Sequence, residues 1–200
     1  YDGYHGYWAK NLYAMNKHFG GADDLRHLID ECHKRDIWVM VDVVANHVGG
    51  PADDHSGVYP FNQTEHYHNC TGCPADCNIA DWGNQYEVEH CRLSGLPDLN
   101  HENEFVYMTL LSWIREMRTV FDIDGFRVDT IPEVPKRFWR DFNNAAGGYC
   151  VGEAYNGNID YVSGYQGPLD GVLSYPLYFT LKDVFMYRQS LYMLESMLAQ

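Results

Sequence analysis

Ile37-Trp38-Val39-Met40-Val41-Asp42-Val43-Val44 runs straight into Ala45-Asn46-His47, and this stretch sets the fold class. Its near-continuous apolar, β-branched character predicts a parallel strand covered on both faces. Upstream, Gly20-Gly21 precedes Ala22-Asp23-Asp24, and Leu25, Leu28, Ile29 and Cys32 keep helical spacing. Downstream, from His47 to about Asn100, the chain is irregular and rich in Gly, Pro, Asp and Cys. A loop of that length is rarely featureless, so an inserted subdomain stapled by disulfide is expected. Regular order returns with a helix predicted from Glu102 to Phe121, whose stripe is Val106, Leu110, Trp113, Ile114, Met117 and Phe121. A strand Gly125–Asp129, a helix from Val134 to Ala146, a strand Tyr149–Glu153, a strand Gly171–Tyr175 and a final helix follow.

Strand and helix alternate with short turns, which implies parallel strands joined by right-handed crossovers. Two architectures compete, an open doubly wound sheet and a (β/α)8 barrel. No glycine-rich phosphate loop of the G-x-G-x-x-G or Walker kind is present. Polar residues instead gather at the carboxyl ends of successive strands, where barrel enzymes build their sites. The expected fold class is therefore α/β, a partial (β/α)8 TIM barrel with an inserted irregular subdomain.

Charge and cysteine usage narrow the function. The 200 residues carry 28 acidic against 14 basic side chains, a net charge of −14. That balance argues against nucleic acid or an anionic membrane surface as partner and fits a neutral ligand such as a sugar. No apolar run approaches the roughly 20 residues that span a bilayer. Cysteines stand at 32, 70, 73, 77, 91 and 150, and two glycosylation sequons, Asn62-Gln63-Thr64 and Asn69-Cys70-Thr71, share the crowded stretch. Together they favour a secreted, oxidising setting. The run His66, His68, Cys70, Cys73, Cys77 has a faint zinc-site look, against which the sequons weigh. Cys32 and Cys150 fall on apolar faces and read as buried free thiols. The chain opens in mid-pattern and ends inside a helical pattern, so both ends read as truncations.

The strand ends carry the chemistry. Alternation places Arg127 and Asp129 on one face, and a neighbouring guanidinium keeps a carboxylate ionised, as a nucleophile must be. Glu153, behind Val151 and Gly152, would sit in a drier setting suited to an acid. Two carboxyl groups of unlike environment facing each other across a barrel mouth suit retaining glycoside hydrolysis, at a separation of about 5–5.5 Å. The alternative is that Asp129 merely pairs with Arg127 to hold the barrel and Glu153 caps a loop. Two acids at adjacent strand ends beside His47 favour the catalytic reading.

Asp42-Val43-Val44-Ala45-Asn46-His47, Gly125-Phe126-Arg127-Val128-Asp129 and Gly152-Glu153-Ala154 resemble three of the four signature segments of the α-amylase family. Leu96-Pro97-Asp98-Leu99 resembles its additional segment, and Tyr4-His5-Gly6-Tyr7-Trp8 with Ala22-Asp23-Asp24-Leu25 looks most like secreted fungal-type members. The resemblance runs from residue 1 to about 180. It implies barrel parts at 1–47 and 101–200, separated by a calcium-binding subdomain at 48–100 after the third barrel strand. It implies Asp129 as nucleophile and Glu153 as acid/base, with Arg127 orienting Asp129 and His47 bonding the sugar. Tyr7 would stack under that sugar with His5 and Trp8 supporting it, and Trp82 would be an aromatic platform. A structural Ca2+ would be held by Asn46, Glu89, Asp98 and the backbone carbonyl of Glu133. The resemblance also implies a Cys77–Cys91 disulfide; Cys70 and Cys73 have no assigned partner, and their pairing with each other stays open. The expected partner is an α-glucan (starch, glycogen or maltooligosaccharides), and the complete protein is expected to be a monomer.

Two departures stand out. The fourth signature segment, with the family's third carboxylate, does not occur before Gln200, so this piece alone is expected to be poorly soluble and inactive. Fungal-type members follow Asp-Thr-Val with Lys-His, whereas here Asp129-Thr130-Ile131 leads to Pro132-Glu133. An acid there puts leaving-side binding and product pattern in question. An α-glucosidase or transglycosylase of the same fold, and a non-catalytic carbohydrate-binding scaffold, are the competing readings. Retention of Asp129, Glu153, Arg127 and His47 together speaks against the last.

Overall fold

A computed structural model describes residues 3–200. Four strands, β1 (Met40–Val43), β2 (Gly125–Val128), β3 (Tyr149–Gly152) and β4 (Gly171–Val172), form one parallel sheet in the order β1-β2-β3-β4. The order is sequential with no reversal. A doubly wound sheet would turn back at a switch point, so the order is that of a barrel sector.

The α-helices among the described residues are α1 (Ala22–His33), α2 (Gln85–His90), α3 (Glu104–Phe121), α4 (Lys136–Ala146), α5 (Ile159–Ser163), α6 (Tyr175–Leu181) and α7 (Tyr192–Leu198). The Asn103 side chain starts α3 by accepting from Phe105 N at 2.9 Å and Val106 N at 3.3 Å, two of the donors a helix start leaves unpaired. Asp122, in the left-handed region at φ 56°, stops it. Val106, Leu110, Trp113 and Ile114 are its buried face. Phe138, Trp139, Phe142 and Ala145 form that of α4, which Gly147 ends at φ 62°. Phe126, Val128 and Cys150, all fully buried, join both helix faces in one apolar cluster, and the Trp139 indole donates to Ile131 O at 2.8 Å.

Three expectations change. β1 is not covered on both faces: Ile37 is 51% exposed, Trp38 85% and Met40 48%. Among the described residues β1 pairs only with β2 and is the sheet edge. Cys150 is buried as expected, but Cys32 is only partly covered, near the exposed end of α1. The Cys77–Cys91 pairing is also corrected. Cys70 bonds Cys77 and Cys73 bonds Cys91, at Cα–Cα distances of 5.3 and 5.7 Å. The reason is a tight turn, Cys73 N to Cys70 O at 3.1 Å, that lays the Cys73 sulfur over the end of α2, 3.4 Å from His90 O. Sequence spacing does not register that turn.

The path from β1 to α3 is tied down by cross-links rather than strands. Isolated bridges join His47 to Asp98, Tyr67 to Leu99 and Asn78 to Arg92. None of the described helices is long and apolar enough to cross a membrane.

Candidate active site

Parallel register lines up the carboxyl ends of the strands. Asp42 is the partner of Arg127, and Val128 of Gly152. The ladder continues one residue past the strands, through Asp129 N to Val43 O at 2.9 Å and Glu153 N to Val128 O at 2.8 Å. These bonds fix the backbones of both acids at the sheet's rim. Gly152 lets β3 pass there: a Cβ at that position would lie 2.6 Å from Ile131 and Leu169 side-chain carbons.

One guanidinium serves three carboxyl groups. Arg127 Nη1 donates to Asp129 Oδ1 at 2.5 Å and to Asp42 Oδ1 at 2.9 Å, and Nη2 meets Glu153 Oε2 at 2.8 Å. Tyr7 OH donates to the other oxygen of Asp42 at 2.9 Å, and Tyr175 OH to Glu153 Oε1 at 3.0 Å. Burial pushes Asp129 up to about 6; the Glu153 charge adds to this and Arg127 opposes it. Burial also acts to raise Glu153, but its bond to Asp129, the Arg127 charge and Tyr175 together hold it below its ordinary value. The division differs from the sequence expectation, in which Arg127 ionised Asp129 alone and Glu153 was the drier acid. The cation is shared, and the Asp129 side chain, 10% exposed against 17% for Glu153, is the drier of the two. The two acids share one guanidinium, so the charge on each bears on the other.

The aromatic candidates divide into two groups. Trp82, Thr130, Pro132, Glu133, Glu153 and Tyr155 line a cleft of about 520 Å3, so Trp82 and Glu153 face the same space. His5, Tyr7, Asp42 and His47 line a separate cavity of about 270 Å3. Within it the His5 ring stacks on Tyr7 at 5.7 Å and meets Trp8 edge-on at 4.7 Å, and Arg127 sits 5.8 Å from the Tyr7 ring centre. His47 turns its Nε2 to Tyr7 O at 3.2 Å. Burial pushes the carboxyl of Glu133 up to about 8.

Sequence reasoning gave no role to Asp42, although it stands at a strand end in the quoted stretch. Its position two residues from the apolar strand centre was a usable signal. Tyr175 carried none, because only the β3–β4 pairing brings it to Glu153.

Asn46 and Asp98 meet at a second, oxygen-rich point. The Asn46 amide atom facing them lies 3.1 Å from Asp98 Oδ1 and 3.1 Å from the Glu133 carbonyl. The His47 tautomer decides which atom that is. Burial lowers His47 to about 4, so its ring is neutral with a single N–H. Tyr7 O can only accept, so the proton is on Nε2, and the bare Nδ1 accepts from Asn46 Nδ2 at 3.2 Å. The Asn46 oxygen then faces two more oxygens, an arrangement that a hard cation stabilises. Glu89 is linked to the segment before Glu133 through Gln85, whose Nε2 donates to Glu89 Oε1 at 2.8 Å and to Pro132 O at 3.0 Å.

Comparison with known proteins places almost the whole described chain beside one family. A family model described as the catalytic domain of alpha amylase matches residues 2–198. Alpha-amylase 1 of Lipomyces kononenkoae is 40% identical over 190 residues, 91% of this chain and 30% of that protein. The structure of an alpha-amylase from Malbranchea cinnamomea superposes with a TM-score of 0.90 at 41% identity, covering 98% of this chain and 42% of that one. An alpha-amylase from Geobacillus thermoleovorans, solved in complex with acarbose, gives 0.81 at 35% identity, covering 90% and 40%. The chain thus spans less than half the length of each of these proteins.

Proposed function

Because this chain belongs to the alpha-amylase catalytic-domain family, we propose that it supplies the acid pair of a retaining endo-hydrolase of α-1,4-glucosidic bonds in starch and glycogen. The observation that carries the reading is the single Arg127 guanidinium held by Asp129 and Glu153 together, beside an open cleft.

In this reading Asp129 attacks the anomeric carbon while Glu153 gives its proton to the leaving oxygen, and Glu153 then takes a proton from the water that releases the sugar. Attack neutralises the Asp129 charge and proton transfer creates one on Glu153. Arg127 bonds both residues, so it remains beside the negative charge as the charge moves from one to the other. The step requires Asp129 ionised and Glu153 protonated. The bound glucan would favour that arrangement by bringing its glycosidic oxygen to Glu153 and displacing water from the cleft. Tyr7, His5 and Trp8 form the sugar-stacking group, His47 the sugar-bonding group, and Trp82 a platform across the cleft. A partner of the acarbose class, named for the Geobacillus structure, fits these aromatic surfaces.

A structural Ca2+ held by Asn46, Asp98 and the Glu133 carbonyl, with Glu89 linked through Gln85, would bridge the segment before β2 and the segment after it. The converging oxygens support this assignment. Residues 1–47 and 101–200 would be barrel parts and 48–100 a calcium-binding subdomain, in a secreted protein, as the two disulfides favour.

Asp129→Asn, in a chain extended to the full length of its relatives, is expected to cut starch hydrolysis by four or more orders of magnitude, about 5 kcal/mol or more. Circular dichroism should stay unchanged. Unaffected turnover would remove Asp129 from its role.

A further inference from the structure

His68, His90 and Glu102 come together around the end of α2. One ligand atom from each lies within 4.8 Å of the other two. The His68 and His90 rings are 4.8 Å apart, centre to centre. None of the three has a part in the hydrolytic reading, and they come from three separate stretches of chain.

The surrounding bonds orient all three. His90 Nδ1 lies 3.0 Å from Tyr86 O, an atom that can only accept, so the proton is on Nδ1 and the Nε2 lone pair is free. The Tyr86 ring stacks on His90 at 4.2 Å and fixes its plane. His68 Nδ1 is 2.6 Å from Asp98 Oδ2 and its Nε2 is 3.2 Å from Glu102 Oε2; both carboxylates accept, so an ion bound at Nε2 takes the place of that nitrogen's proton. Arg137 holds the other oxygen of Glu102 at 2.7 Å, so Oε2 is the one presented. An imidazole whose far nitrogen is bonded to a carboxylate or carbonyl is the usual outer support of a metal-binding histidine, and it occurs here twice.

We propose that His68 Nε2, His90 Nε2 and Glu102 Oε2 bind a borderline divalent transition ion of the Zn2+ class. Two imidazoles and a carboxylate suit such an ion, and three protein ligands leave a fourth position for water. The faint zinc pattern in the sequence included His68 but took its sulfur ligands from Cys70, Cys73 and Cys77. Those sulfurs are in disulfides, and His90 and Glu102 replace them. Bond lengths of about 2.0–2.2 Å put tetrahedral ligand atoms roughly 3.4 Å apart, so the cluster closes slightly on binding. The bound ion would pin α2 to the segment that leads into α3. The site stands independently of the glucan reading.

The test is calorimetric titration with Zn2+ of the chain extended to the full length of its relatives, in saturating Ca2+ so that the oxygen site does not compete. One Zn2+ per chain is expected, with a rise in melting temperature. His90→Gln and Glu102→Gln are each expected to weaken binding at least about 100-fold, since even outer-support losses cost 10–100-fold. Co2+ in place of Zn2+ should give the intense visible absorption of a four-coordinate site. No Zn2+ uptake, or wild-type affinity kept in either variant, overturns the proposal. Should His90→Gln fail to fold, Glu102→Gln and the Co2+ spectrum of the unaltered chain decide: a weak octahedral spectrum sinks it.

Discussion

The sheet-bearing part of the chain and the stretch between β1 and α3 solve the same problem by different means. Around β2 and β3, order comes from burial: Phe126, Ile131, Phe138, Trp139 and Phe142 are fully buried in one continuous cluster. The linking stretch also buries side chains, Phe61 and Leu99 among them, yet Val88, Cys91 and Leu96 lie outside the main cluster. It adds two disulfides and polar ties such as Arg92 to Asp53 and to Ala52 O. Regular packing aims the acids, while covalent and polar ties hold a shape that has little periodic structure.

The comparison can be broken by removing one support from each part. Trp139→Ala is expected to cost about 3–5 kcal/mol, from the lost ring and the cavity it leaves. Guanidinium unfolding with and without reductant should give that same loss in both conditions. Cys73→Ser should cost about 3 kcal/mol and Cys70→Ser about 2.4 kcal/mol, because the closed loops span 18 and 7 residues. Both losses should vanish in reductant, and peptide mapping should recover 70–77 and 73–91 as the pairs. A reductant-insensitive Cys73→Ser would remove the contrast between the two parts.

The smallest effect sharpens the chemical side. Asp129 sits at about 6, above its ordinary value, so its ionised form is lost as pH falls through that point. The reaction needs one proton on the pair, so in the full-length enzyme kcat/KM should fall about tenfold per pH unit above about 6, roughly 1.4 kcal/mol per unit, as that proton is lost. The stability contribution runs the same way. A raised carboxyl binds its proton more tightly in the folded chain, so this stabilisation is complete below about 3.8 and is lost as pH rises through about 6. A flat rate profile between pH 4 and about 7 would show that Asp129 does not titrate in the working range.

Residue order alone determined the alternation of strand and helix, the parallel sheet, the buried faces of α3 and α4, and the placing of Asp129 and Glu153 at strand ends. Those features follow from local periodicity, since side chains repeat every 2 residues in a strand and every 3.6 in a helix. Tertiary structure decided the rest: the sharing of Arg127 among Asp42, Asp129 and Glu153, the approach of Tyr175, the Cys70–Cys77 and Cys73–Cys91 pairs, and the meeting of His68, His90 and Glu102. Each of these depends on turns and strand pairings that bring separate stretches of chain together, and spacing along the sequence does not encode distance across such a fold.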